Sequence, residues 1–296
     1  MRNMPDATND LFPDTKKLFL LDGMALTYRA HFALVRSPRF TSGGLCTSAV
    51  FGMMNAVLDI ITREKPTHIA VAFDTSEPTQ RHVEFPEYKA QRDAMPEDIS
   101  TQLPYIDRLF DALNITVIRM PGYEADDVIG TLAQEGVPKG FRTFMVTPDK
   151  DYEQLVNEDV LIYKPGRRGS DAEIVGVANV LQRWGIERVS QVIDILGLMG
   201  DASDNIPGVK GIGPKTAQTL IAKYDSIENL LAHTDELKGK QRERLEEQAD
   251  MARLSKRLVT IQLDVPHEVT LDDLAFREYD AEKLKVLMME LEFDTL

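Results

Sequence analysis

Five short apolar runs separated by helix-length amphipathic stretches constrain this chain more than any other feature. The runs are Leu18 to Leu21, His68 to Phe73, Thr116 to Arg119, Thr143 to Thr147 and Val160 to Tyr163. Continuous rather than alternating apolar character is what a strand shows when both faces of its sheet are covered. Between the runs, Val50, Met54, Val57, Leu58 and Ile61 place one apolar stripe on a helix over Thr47 to Arg63. Leu103, Ile106, Leu109, Phe110 and Leu113 place another over Ser100 to Leu113. The pattern predicts an α/β fold with a central, mostly parallel sheet flanked by helices. After about Val189 the strand-like runs stop and short helices punctuated by Gly and Pro take over, which predicts a second, helical lobe.

Three of the runs end in acids. Asp22 follows Leu-Phe-Leu-Leu, Asp74 follows Ala-Val-Ala-Phe, and Asp149 with Asp151 follows Phe-Met-Val-Thr-Pro. Ligands of open α/β sheets bind beyond the carboxyl ends of the strands, so these positions face the expected cleft. Glu124, Asp126 and Asp127 sit at a helix start, where acids also suit the positive end of the helix dipole. Asp201 and Asp204 lie in a turn. Nine carboxylates thus come from five regions. Converging in one pocket, they could not all stay ionised without cations. Oxygen-only donors without a His or Cys cluster select Mg2+ or Mn2+ over zinc. Two such ions can activate water and neutralise the leaving oxygen in phosphodiester cleavage.

The chain carries 48 acidic and 34 basic residues, a net charge of -14, which argues against a general basic coat for nucleic acid. Basic character is local. Arg81, Lys89 and Arg92 follow Asp74, with Tyr88 placed to stack on an unpaired base. Asn205 to Tyr224 holds Lys210, Lys215 and Lys223 and no acid. Its closely spaced glycines, Gly208, Gly211 and Gly213, allow a turn to present backbone N–H groups to phosphate at a helix start without reading base sequence. The spacing is not that of a nucleotide-binding Walker loop. One cysteine, Cys46, rules out an intramolecular disulfide and suits a reducing, cytoplasmic setting. No run of about 18 apolar residues suggests a membrane span.

The motifs taken together resemble the 5′ nuclease domain of bacterial DNA polymerase I, a branch of the flap endonuclease family. They are Leu-Asp22-Gly with Tyr28-Arg29-Ala, Phe73-Asp74, Tyr88-Lys89-Ala-Gln-Arg92 with Met95-Pro-Glu-Asp98, Gly122-Tyr-Glu124-Ala-Asp126-Asp127, Asp149-Lys-Asp151 with Gln154-Leu, and Gly200-Asp201-Ala-Ser-Asp204 leading into the glycine segment. Glu282 to Leu296 resembles that domain's end. The resemblance implies a two-metal nuclease acting on 5′ flaps and 5′ ends of DNA in primer removal and repair. It assigns Asp22, Asp74, Glu124 and Asp126 to a first metal cluster and Asp149, Asp151 and Asp201 to a second, with Asp127 and Asp204 as additional acids. Lys89 and Arg92 match a helical arch and Tyr88 its aromatic neighbour; Tyr28 and Arg29, and Arg81 from the basic stretch after Asp74, are expected as further DNA contacts. The glycine segment matches a helix-three-turn-helix that grips duplex DNA, with a K+ ion on backbone carbonyls. Met24 and Cys46-Thr-Ser48 depart from the family pattern without removing an acid.

The expected organisation is therefore a flexible tail over residues 1–16, a nuclease core over 17–189 with its arch around 78–98, and the helical lobe with the C-terminal segment over 190–296. A monomer is expected, as a domain separated from a polymerase. A non-catalytic DNA-binding module and a nuclease acting on single-stranded RNA are the competing readings. An aspartyl-phosphate phosphatase is disfavoured because Asp22 is followed by Gly-Met, with no second Asp two residues on.

Overall fold

The computed structural model describes residues 15–166 and 171–293. Most of the expected tail, residues 1–14, lies outside them, as do the last three residues. Six strands form one sheet: β1 (Lys16–Asp22), β2 (His68–Ala72), β3 (Thr116–Ile118), β4 (Phe141–Val146), β5 (Val160–Lys164) and β6 (Glu173–Val175). Their order is β3-β2-β1-β4-β5-β6, parallel except for the antiparallel β5–β6 pair. β6, a three-residue edge strand that starts on the exposed Glu173, was not foreseen.

Five helices lie before β3: α1 (Gly23–Ala33), α2 (Ser48–Asp59), α3 (Gln80–Glu84), α4 (Glu97–Ser100) and α5 (Leu103–Ala112). α6 (Ala125–Gly136) joins β3 to β4, and α7 (Val177–Trp184) follows β6. The helical region comprises α8 (Gln191–Met199), α9 (Pro214–Tyr224), α10 (Ile227–Ala232), α11 (Gly239–Glu247) and α12 (Ala249–Val259), and the chain ends with α13 (Ala281–Glu290).

The pleat divides the core in two. Phe19 and Leu21 of β1 point into one layer with Val50, Met53 and Met54 of α2 and Ile106 and Phe110 of α5; Phe19 stacks on Phe144 with ring centroids 4.7 Å apart. Leu18 and Leu20 point into the other with Ile129 and Leu132 of α6, and this layer runs on without a break into Val192 and Ile195 of α8, Leu220 of α9 and Leu258 of α12. The helical region therefore shares a hydrophobic core with one face of the sheet. The last residues do not stay with it. Phe276 N donates to Thr67 O at 2.9 Å, and Leu284, Leu287, Leu291 and Phe293 are buried in the opposite layer.

Among the described residues, no helix is long and apolar enough to cross a membrane.

Candidate metal centre and nucleic-acid interface

The strand order fixes where a site can form. From β1 the chain crosses to β2 on one side, while β4 pairs with β1 on the other, so the crevice at the carboxyl ends of β1 and β4 is a topological switch point. Asp22 ends β1 and caps α1, its Oδ1 accepting from Ala25 N at 3.0 Å and its Oδ2 from the Thr147 hydroxyl at 3.0 Å. The same hydroxyl oxygen accepts from Asp149 N at 3.2 Å. Thr147 thus holds the ends of β1 and β4 together through side chains. Asp74, beyond β2, accepts from Ala125 N at 2.8 Å at the start of α6. That contact draws in Glu124 and Asp126, and Tyr152 donates to Asp126 Oδ1 at 2.8 Å.

Electrostatics show how close these acids stand. Burial, reinforced by Asp74 and Asp149, pushes the Asp22 carboxyl up to about 7. Burial, then Asp22, Glu124 and Asp149, holds Asp126 well above the usual carboxylate range. Burial together with Asp149, Asp201 and Asp204 pushes Asp151 up to about 7. Asp201 goes the other way: the cost of its burial is outweighed by the Lys150 amine at 2.5 Å and by Ser203 N, and it ionises more readily than a free aspartate. The segments carrying all nine expected acids meet around one basin.

Among the described residues, no group of three or more acidic, His or Cys side chains stands in a cation-holding arrangement. Cationic side chains stand between acids. Lys89 Nζ lies 2.7 Å from Glu124 Oε1 and 3.7 Å from Asp204, Arg92 Nη2 lies 2.5 Å from Asp204, and Lys150 is on Asp201. The donor set still fits a hard cation. It is all carboxylate, several of its members resist ionisation where they are, and Asp151 Oδ1 is buried with no hydrogen-bond partner.

Three assignments need correction. Asp127 is fully buried with both oxygens committed, to Arg81 at 2.8 Å each and to the amides of Glu124 and Gln262, and has no capacity left for a cation. Arg81 is correspondingly 5% exposed and cannot reach DNA. Tyr88 is 3% exposed, its hydroxyl shared between Glu124 and Asp204 at 3.1 Å each and its ring covered by the Lys89 amine, so it presents no stacking face. The segment around 78–98 is α3 and α4 joined by a turn that folds onto the acids, with Lys89 in the left-handed backbone region at φ 57° and its amide on Asp204 O.

Tyr28 and Arg29 are half-buried on α1, and Arg29 donates to Pro165 O and Gly166 O. In the glycine segment the residues divide. Gly208, at φ +60°, is packed against Gly200, where an added Cβ would come 2.4 Å from Gly200 N; its role is close approach of two turns. Gly211 (φ +88°), Gly213, Lys210 and Lys215 are exposed, and Gly213 precedes α9 as its N-cap without a side-chain cap, leaving amide donors of the helix's first turn open to an anion.

Sequence reasoning missed Thr147, Lys150 and Tyr152. Of these, only Lys150 carried a signal: a lone cation between two site acids.

Residues 17–185 match the model of the 5′-3′ exonuclease N-terminal resolvase-like domain, and residues 187–282 that of the 5′-3′ exonuclease C-terminal SAM fold. DNA polymerase I of Bacillus subtilis is 41% identical over 285 residues, 96% of this chain and 32% of that protein. A 5′-3′ exonuclease of Aquifex aeolicus is 37% identical over 281 residues, 95% of this chain and 94% of that protein. The chain spans about a third of the length of the polymerase relatives it matches. Among solved structures, a T5 5′-exonuclease with divalent zinc ions bound superimposes with a TM-score of 0.69 at 19% identity, covering 94% of this chain and 98% of that one. The catalytic core of Rad2 in complex with DNA substrate superimposes at 0.60 and 17% identity, over 94% and 88% of the two chains. At these identities the likeness is one of fold.

Proposed function

The chain belongs to the 5′-3′ exonuclease family, and from that membership we propose a divalent-metal-dependent phosphodiesterase that removes 5′ flaps and 5′-terminal nucleotides from duplex DNA, in primer removal and repair. One observation carries the reading. Asp22 at the end of β1 and Asp149 beyond β4 are tied by a single hydroxyl, Thr147, at the switch point of the sheet, with the acids of α6 and of the turn after α8 gathered around them.

Asp22, Asp74, Glu124 and Asp126 would hold one cation, and Asp149, Asp151, Asp201 and Asp204 another. A pair of Mg2+ or Mn2+ ions would supply an activated water and neutralise the leaving oxygen. The protein's part is orientation. Thr147, Ala25 N and Tyr152 fix the directions in which the Asp22 and Asp126 oxygens point. Lys89 and Arg92, now paired with Glu124 and Asp204, bring positive charge to the same basin for the scissile phosphate. Lys210, Gly211, Gly213 and Lys215 at the start of α9 would bind backbone phosphates of the duplex, with a K+ ion in that turn, while Tyr28 and Arg29 contact DNA nearer the acids. We assign the nuclease core to 17–189 and DNA gripping to the helices that follow, in a cytoplasmic monomer whose longer relatives carry a polymerase on the same chain.

The test is release of a labelled flap from a 5′-flap duplex in Mg2+. Flap release that disappears in Asp149→Asn supports the reading; no release by the unaltered chain, or equal release by both, refutes it.

A further inference from the structure

Five consecutive residues at the end of α12 and just beyond it, Leu258 to Gln262, are stitched through their backbone to the segments that carry the acids. Arg81 Nε donates to Leu258 O at 2.9 Å and Arg81 Nη2 to Thr260 O at 2.8 Å. Gln154 Nε2 donates to Val259 O at 2.9 Å, and Gln154 Oε1 accepts from Ile261 N at 3.0 Å. Asp127 Oδ1 accepts from Gln262 N at 2.8 Å. Three buried side chains thus use one backbone group from each of residues 258–262.

Each of those side chains also touches the acid-bearing machinery. Gln154 Nε2 donates to Asp151 O at 2.9 Å. Asp127 Oδ2 accepts from Glu124 N at 3.1 Å, and Arg81 Nη1 lies 3.4 Å from Glu124 Oε2. At the other end, α12 packs on α8, which leads directly into Asp201, and its Ser255 hydroxyl accepts from Gly208 N at 3.1 Å in the glycine turn. A buried polar network this fully satisfied is stiff, because any displacement leaves a donor or acceptor unpaired at about 1–3 kcal/mol.

We propose that residues 258–262 are a mechanical strap that couples duplex binding at the glycine turn to cation binding at the acids, with Gln154 as the positioning residue that transmits it. The proposal rests on the functional reading above in requiring a duplex at α9. An α12 pressed by the duplex carries Leu258 to Gln262 with it, and Gln154 and Asp127 carry Asp151 and Glu124. Occupied acids hold the strap in turn, so each ligand favours the other by the same factor.

The experiment measures Mn2+ affinity by electron paramagnetic resonance with and without a ligated dumbbell duplex. Having no 5′ end or flap, the dumbbell isolates coupling through the protein. In the unaltered chain the duplex should tighten Mn2+ about fivefold or more. In Gln154→Met, which keeps length and packing but none of the three side-chain hydrogen bonds, duplex affinity without Mn2+ should be unchanged and the coupling should fall below about twofold. Undiminished coupling in the folded variant overturns the strap. Hydrogen exchange on the unaltered chain gives a second measurement that needs no substitution: both the duplex and Mn2+ should slow exchange at the Ile261 and Gln262 amides, and amides indifferent to either overturn it too. A chain that binds the duplex without coupling sinks the strap alone, whereas one that binds neither duplex nor Mn2+ sinks the functional reading with it.

Discussion

The guanidinium of Arg81 and the carboxylate of Asp127 form a two-pronged pair, Nη1 to Oδ2 and Nη2 to Oδ1 at 2.8 Å each, buried beside the acids. The pair holds its members where neither serves as a ligand. Asp127→Ala leaves the buried Arg81 without its two-pronged partner, with only the Glu124 carboxylate 3.4 Å away, and should cost about 3–5 kcal/mol of unfolding free energy. The double replacement Arg81→Met with Asp127→Leu should cost less than Asp127→Ala alone. Urea titration of the three proteins checks the order; equal stability of wild type and Asp127→Ala would show the pair to be idle.

Asp22 and Asp151 predict a pH dependence of a particular sign. Both folded-state pKa values are raised to about 7, well above the ordinary aspartate value of 3.8. A carboxyl of this kind contributes stability fully below its unfolded pKa and loses that contribution as pH rises through the folded value. Without divalent metal, Asp22→Asn should therefore match wild type at about pH 4 and exceed it in melting temperature at about pH 8. Mg2+ should raise the wild-type melting temperature more at the higher pH. Calorimetry in EDTA and in Mg2+ decides it, and a wild type that outlasts Asp22→Asn in EDTA at the higher pH would contradict the assignment.

The Lys150 amine on Asp201 stands where a cation's charge would otherwise act. Removing it with Lys150→Met should tighten Mn2+ binding severalfold while lowering the melting temperature of the metal-free protein. Isothermal titration reads the first effect and a thermal melt the second. Weaker Mn2+ binding would mean that the amine supports the site instead of competing for it.

Lys210 and Lys215 are exposed. If each meets a phosphate, replacing either by Ala should weaken binding similarly for duplexes of unrelated sequence and reduce the slope of log affinity against log salt by about 1. Fluorescence anisotropy across a salt series measures that slope. An unchanged slope in both variants would remove them from the interface.

How much of this was legible in the residues follows from what each signal depends on. β1, β2, β4 and β5 were readable because burial leaves a nearly unbroken apolar run; of the two three-residue edge strands, β3 keeps Val117-Ile118 as a trace, whereas β6, with Glu173 outward, leaves less. Acids at strand ends were readable because topology puts strand ends at the cleft. Arg81 was misread because an arginine near acids looks the same in sequence whether it faces solvent or a buried Asp127. Tyr88 failed likewise: an aromatic beside a lysine fits stacking and burial equally, and only the fold shows its hydroxyl on Glu124 and Asp204. The return of the chain to the start of β2, by a hydrogen bond from Phe276 N to Thr67 O and a bridge between Ala275 and His68, is announced by no periodicity.

Gly200 and Gly208 lie so close that an added Cβ on either would come 2.4 Å from the other turn's backbone, and between them Asp201 and Ile206 exchange two backbone hydrogen bonds. Chain length is therefore frozen there as firmly as chemistry. Inserting or deleting a single residue between Ala202 and Asn205 would slip that bridge and swing the Asp201 carboxylate away from its neighbours, even with every side chain retained. A change in spacing at this loop would be felt at both ends of the molecule at once.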